Sequence, residues 1–127
     1  FFSDDRIMHL GSPETSHILA GGFGPGSGTH QLRFPYSFVI ESDQNALIIA
    51  DWGNHRIVRW VMHELQGEVL IPAQEQLNGP TDVILDRASD SLIICDRGHR
   101  RIVRWSLQST ASEVEVLLGD IAGWGLA

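Results

Sequence analysis

Acidic and basic side chains recur at the same spacing in two short segments. Asp51 lies five residues before Arg56, and Asp96 lies five residues before Arg101, with a glycine inside each interval. Intervals of this length that contain Gly or Asn are typical of tight β-hairpins, in which those residues supply positive φ angles. A charge-assisted hydrogen bond from the guanidinium to the carboxylate would lock such a turn. We therefore predict a structural role for both pairs.

A second feature is a group of arginines around the second of these segments. Arg97, Arg100, Arg101 and Arg104 form a local basic cluster in the sequence. Such a cluster can meet an acidic peptide or phosphate groups. The alternative interpretation is a solvent-exposed hairpin whose charge is partly neutralised by Asp96 and its acidic surroundings.

Catalytic and metal chemistry have weaker support. The six histidines show no close His–Glu or His–Cys spacing of the kind that local metal sites use. No lysine is present, which excludes a Schiff-base or phosphate-loop lysine within these residues. In the radial arrangement of sheets predicted below, Asp82 is the best candidate for a carboxylate that faces the central channel. Ser37, 45 residues earlier in the internal repeat, supplies no second carboxylate for acid–base catalysis. We assign no catalytic residue, no metal ligand and no cofactor.

The net charge of the sequence indicates which class of partner to expect. The 127 residues include nine arginines and 16 acidic residues, and the formal net charge is −7. Nucleic-acid-binding domains usually carry a positive surface. We therefore favour a protein or peptide partner over nucleic acid. No apolar run approaches the roughly 20 residues of a membrane-spanning helix, so we predict no membrane segment in these residues.

The elements that must position these side chains follow from an internal repeat. Residues 47–60 (LIIADWGNHRIVRW) and 92–105 (LIICDRGHRRIVRW) align without a gap at an offset of 45 residues. Each copy contains four strand-like runs separated by turn residues, at 36–41, 46–51, 56–61 and 68–71, and at 81–86, 91–96, 101–107 and 113–118. The second run is apolar at every position of 47–50 and 92–95, as in a strand covered on both faces, and the fourth alternates like a strand near solvent. Radially arranged sheets that pack face to face give this gradient.

The sequence thus predicts an all-β fold: a partial β-propeller with two complete four-stranded antiparallel blades and a partial blade at each end. Residues 31–75 and 76–120 would be the complete blades, and 121–127 would begin a following blade. Residues 1–30 would end a preceding blade, with strands at 6–10 and 17–20, and form a connector. The missing initiator Met and the incomplete end repeats indicate a piece of a longer array, whose remaining blades come from the rest of the chain.

The repeat core resembles a known family. The segment Asp51-Trp-Gly-Asn-His-Arg-Ile-Val-Arg59, led in by Pro35, is similar to the NHL repeat, and the second copy differs in having His99-Arg100 in place of Asn54-His55. The resemblance implies a propeller that commonly closes with six blades. NHL-type propellers occur in ubiquitin-ligase-associated proteins that bind RNA or protein, in sensor domains of bacterial kinases and in peptide-amidating lyases. Fold alone does not choose among these activities.

Positions that differ between the two copies are the best candidates for partner binding, because residues needed once in every blade are structural and loops carry most binding residues. These candidates are Trp52, Asn54, His55, Asp82, Arg97, His99 and Arg100. We expect a non-enzymatic binding or scaffold module that holds a protein or peptide through its face loops. The alternatives are part of a propeller lyase or hydrolase with a channel metal, and an RNA-binding propeller of a ubiquitin-ligase-type protein.

Overall fold

The computed structural model describes residues 2–9, 17–73, 76–108 and 114–119, and its regular structure consists of antiparallel strands and short 3-10 turns. Three sheets follow one another along the chain, and we call them the first, second and third blades. In each of them, strands that are neighbours in sequence are neighbours in the sheet. The predicted fold class, an all-β partial propeller, is confirmed.

The strand bounds are as follows. The first blade has three strands, β1 (Phe2–Ser3), β2 (Arg6–His9) and β3 (His17–Gly21). The second blade has four, β4 (Pro35–Glu41), β5 (Ala46–Asp51), β6 (Arg56–Val61) and β7 (Glu68–Ile71). The third blade also has four, β8 (Pro80–Asp86), β9 (Ser91–Asp96), β10 (Arg101–Ser106) and β11 (Glu115–Leu118).

Predicted and observed strands differ by a residue or two at a few ends. The innermost strands β4 and β8 each begin one residue earlier than predicted, at the recurring proline, and β10 ends at Ser106 rather than Leu107. Strand β11 begins at Glu115, while the predicted start at 113 lies outside the described residues. The predicted opening of a following blade at 121–127 also lies outside them.

Two apolar clusters hold the blades together. Leu47 and Ile49 on one face of β5 pack with Ile7 and Ala20 of the first blade. Ile48 and Ala50 on the opposite face pack in the cluster that contains Leu92 and Ile94 of the third blade, and β8 lies against β4 and β5. Successive side chains of a strand point to opposite faces. The apolar residues 47–50 of β5 therefore serve two interfaces, as predicted.

The third blade is covered less completely than the second. Ile84 is 39% exposed and Ile93 is half-buried, whereas Ile48, the counterpart of Ile93, is fully buried. The side chain of Arg101 is 22% exposed, against 7% for its counterpart Arg56. Within the described part of the chain, no further sheet packs on this side of β8–β11. Nor does that part contain a helix long and apolar enough to span a membrane.

We expect Ile48→Ala and Ile93→Ala to have unequal effects on stability, although the two residues are repeat counterparts. Removing a fully buried isoleucine leaves a cavity and lowers the free energy of unfolding by about 2–5 kcal/mol, whereas the half-buried Ile93 loses less. Denaturant unfolding of the full chain measures both values. If both substitutions lowered the free energy of unfolding by the same amount, Ile93 would be as completely buried as Ile48, which would contradict the open outer side of the third blade.

Candidate functional site

A buried carboxylate organises one end of the second blade, where the β5–β6 hairpin turns and β4 begins. We call this the hairpin end of the blades. Asp51 is fully buried, and its Oδ2 accepts hydrogen bonds from Arg56 Nε at 2.8 Å and Asn54 Nδ2 at 2.8 Å. Its Oδ1 accepts the backbone N–H of Arg33 at 2.7 Å. The predicted pair is therefore present, and one carboxylate joins the hairpin to the connector that leads into β4.

The guanidinium of Arg56 extends this network into the connector before β4. Arg56 donates to the backbone carbonyls of Ser27 at 2.8 Å, Gly28 at 3.0 Å and Gln31 at 2.7 Å. A guanidinium has five N–H donors in a fixed planar arrangement, so one side chain can serve several carbonyls at once. Through these bonds, Arg56 adds three side-chain contacts to an irregular segment that also forms backbone hydrogen bonds at Gly22, Gly26, Gln31 and Phe34.

The third blade repeats this network around Asp96. Its Oδ1 accepts the backbone N–H of Asn78 at 2.7 Å, and its Oδ2 accepts Arg101 Nε at 2.8 Å. Arg101 also donates to the carbonyl of Gln76. The third contact of the Asp96 carboxylate joins its Oδ2 to His99 Nδ1 at 2.8 Å, in the place that Asn54 fills in the second blade. We call each of these networks a carboxylate lock.

Two of the predicted binding residues therefore take part in the locks. Asn54 and His99 occupy matching positions, and each contacts the aspartate of its own hairpin. Asn54 also donates to the carbonyl of Gly26 at 2.7 Å. The difference in residue type does not change this structural role, because an amide N–H and an imidazole N–H are both donors to a carboxylate. A partner-binding role for the two side chains stays a prediction.

The hairpin glycines have a different role from the expected one. Residues His55 and Arg100 take the left-handed conformation in the two hairpins, with φ of 53° and 54°, and Gly53 and Gly98 do not. Gly53 instead donates its N–H to the carbonyl of Arg33 at 2.8 Å, and a Cβ there would lie 2.6 Å from that oxygen. Glycine is required because the connector backbone passes too close for a side chain.

Several predicted binding residues surround a cavity between the second and third blades at the hairpin end. The cavity measures about 350 Å³, and its lining consists of Trp52, His55, Asn78, Gly79, Arg97 and Gly98. A neighbouring cavity of about 320 Å³ shares His55 and Asn78 and is also lined by His99. The structure thus brings Trp52, His55, Arg97 and His99 together from two hairpins that are separated in sequence.

The ring of His55 is held in place by the next connector. Its Nδ1 accepts the backbone N–H of Gly79 at 2.8 Å. An imidazole nitrogen that accepts a hydrogen bond carries no proton, so the proton of the neutral ring is on Nε2. His55 therefore contributes a donor nitrogen to a site whose charged side chain is Arg97.

The remaining predicted residues lie outside these cavities. Asp82 is the third residue of β8, is half-buried and is opposite Cys95 in the sheet. Arg100 is exposed at the end of the hairpin. The predicted cluster of four arginines is divided, because Arg101 belongs to the lock and Arg104 forms an ion pair with Glu115 of the outer strand at 3.1 Å.

The sequence reasoning missed one residue of this surface, Phe34. It is 50% exposed, and its ring packs against Trp52 in an edge-to-face contact with centroids 6.2 Å apart and an interplanar angle of 75°. Phe34 precedes the recurring proline at the position that Gly79 occupies in the third blade. The available signal was therefore a difference between the two copies, of the same kind that selected Trp52.

The comparisons with known proteins assign no family. No protein-family model and no curated protein sequence matches the chain. Among the described residues, no group of three or more His, Cys, Asp or Glu side chains is placed to hold a metal ion. The site is therefore defined by its own geometry, an aromatic pair and an arginine beside a cavity between blades.

We expect Asp51→Ala to destabilise the full chain more than Asp96→Ala. Removing Asp51 leaves the nearly buried Arg56 without its carboxylate, which costs about 3–5 kcal/mol in the free energy of unfolding. Arg101 is more exposed and regains solvent when Asp96 is removed, so the loss is about 1–3 kcal/mol. Denaturant unfolding tests this order, with Asp43→Ala at an exposed turn as the control. The reverse order would contradict it.

Proposed function

We propose that the chain is part of an NHL-type propeller that acts as a non-enzymatic binding module for a protein or peptide. The observation that carries this proposal is the position of the exposed aromatic side chains. Within the described residues, the aromatic rings that are exposed are Phe23, Phe34, Tyr36 and Trp52, at 51%, 50%, 51% and 42%. Phe34, Tyr36 and Trp52 belong to the hairpin end, whereas Phe23 lines a separate cavity together with His63 and Leu65. Aromatic residues are enriched in the energetic centres of protein interfaces.

The lock geometry supports the resemblance to the NHL repeat. Asp, Gly and Arg recur in both copies of the motif. In each blade the Arg Nε donates to the Asp Oδ2, and the Gly N–H donates to a connector carbonyl. These residues hold the hairpin and the connector together and leave the variable positions between them for binding. The lock residues are the same in the two copies of the repeat, whereas Trp52 and Arg97 differ at the same position. This pattern suits propellers that keep one scaffold and bind different partners.

The alternatives have less support from this geometry. Asp82 and Ser37 match one another on the innermost strands, so this position supplies one carboxylate rather than a pair for acid–base catalysis. An RNA-binding surface would require several cations along a phosphate backbone. The aromatic residues beside a small cavity between blades favour a protein or peptide side chain.

Substitution of Trp52 tests the proposal. A displayed random-peptide library is selected against the full chain, and the affinity of a selected peptide is measured by fluorescence anisotropy. We expect Trp52→Ala to weaken binding by roughly 30-fold, the effect of removing a hot-spot side chain worth about 2 kcal/mol.

Leu65→Ala is the matched control, because Leu65 is 71% exposed in the turn after β6, at the opposite end of the blades. The control variant should bind like the unmodified chain. Equal affinity of the Trp52→Ala and Leu65→Ala variants would remove the hairpin end as the binding surface. Failure to select any peptide, together with RNA binding that falls steeply with salt, would support the RNA-binding alternative.

A further inference from the structure

Phe34 is held in a backbone conformation that favours glycine. Its φ is 50°, and Gly79 at the matching position has a φ of 62°. A bulky residue pays a steric cost in this region, whereas glycine does not. The second blade therefore carries a strained residue where the third blade shows that an unstrained one serves the same connector.

The side chain of Phe34 also gains little from folding. Half of it is exposed, and its ring contact is with Trp52, which is itself 42% exposed. Backbone strain combined with an exposed aromatic ring does not stabilise the fold. Such outliers are found mostly at sites where the strained residue takes part in function. We call Phe34 and Trp52 together the aromatic ledge.

Charges are distributed unevenly between the two ends of the blades. Of the described charged residues, six arginines and five acids lie toward the hairpin end: Arg6, Arg33, Arg56, Arg97, Arg100 and Arg101, with Asp4, Asp5, Asp51, Asp82 and Asp96. Three arginines and seven acids lie toward the opposite end: Arg59, Arg87 and Arg104, with Glu41, Asp43, Glu64, Glu68, Asp86, Asp90 and Glu115. Among the described residues, the hairpin end is thus the less acidic of the two ends.

The locks contribute no net charge at the cavity, because each pairs one carboxylate with one guanidinium. The carboxylates of Asp51 and Asp96 are fully buried inside their locks, so they present no negative surface to a ligand. Arg97 lines the cavity together with Trp52 of the ledge, and His55 supplies a ring nitrogen that donates. The cavity therefore has an apolar aromatic side and a side with donors and positive charge.

From this arrangement we infer that the cavity binds an acidic peptide segment. A hydrophobic side chain of the peptide packs on the aromatic ledge, and a nearby carboxylate pairs with Arg97. This inference rests on the proposed function and adds the chemistry of the ligand. A nucleic acid fits less well, since the described residues of the hairpin end include only one more arginine than acids and a phosphate backbone requires many cations.

Three matched peptide libraries test the ligand chemistry. Each fixes a leucine two residues before a variable charge, and that position is Glu, Gln or Lys. The full chain is the bait, and retained peptides are counted by sequencing. We expect the Glu library to be retained roughly tenfold better than the Gln library, and the Lys library least, because complementary charge favours association and like charge opposes it.

Three variants connect this selectivity to the structure. Phe34→Gly should bind a selected Glu peptide roughly tenfold more weakly, as expected for loss of an aromatic anchor, while its thermal midpoint stays equal or rises because the strain is removed. Arg97→Gln should remove the preference for Glu over Gln. Arg87→Gln changes an exposed arginine at the opposite end and should leave that preference intact.

The outcomes separate this inference from the proposed function. Retention of neutral or basic peptides that still requires Trp52 would overturn the acidic-ligand inference and leave the proposed function in place. Retention of no peptide from any library would overturn both. Unchanged affinity of the Phe34→Gly variant would overturn the aromatic ledge as part of the site.

Discussion

The carboxylate lock is the interaction on which the binding end of this protein depends. A propeller connector is an irregular segment, and its backbone groups cannot all find partners within a sheet. One oxygen of the Asp51 carboxylate accepts a hydrogen bond from a connector N–H, that of Arg33. The other oxygen accepts hydrogen bonds from Asn54 and Arg56 of the hairpin. Arg56 then donates to three connector carbonyls. The charges compensate one another while both side chains are almost completely buried.

Arg59 and Arg104, the second arginine of each copy of the motif, have environments that differ between the two blades. Arg59 donates to both carboxylate oxygens of Glu41 at 2.7 and 2.9 Å, and this hydrogen bonding raises the pKa of the guanidinium despite partial burial. In the third blade, Asp86 instead accepts a hydrogen bond from the Ser89 hydroxyl at 2.8 Å, which is the largest cause of its lowered pKa. Arg104 remains 4.0 Å from Asp86. The lock at the hairpin end is therefore the more faithfully repeated of the two interactions.

Much of the fold could be predicted because the sequence contains the same unit twice. The apolar runs and turn residues located the strands to within a residue or two, and repeated Asp–Arg pairs identified the locks. Left-handed conformations at His55 and Arg100 could not be predicted from preferences for Gly and Asn, since connector packing decides where glycine is indispensable. The cavity could not be predicted from the sequence either, because its walls come from two hairpins that packing between blades brings together. Phe34 differs in residue type from Gly79 at the matching repeat position, but its strained backbone conformation is visible only in the structure.

The most direct test of the account is amide hydrogen exchange at Arg33, measured by NMR in the full chain and in its Asp51→Ala variant. We expect a slowly exchanging Arg33 N–H in the unmodified chain, because that group donates to a buried carboxylate. In the variant, exchange at Arg33 should become fast while amides in the β5–β6 ladder keep their protection. Fast exchange at Arg33 in the unmodified chain, or equal protection in both proteins, would contradict the claim that the lock holds the connector in place.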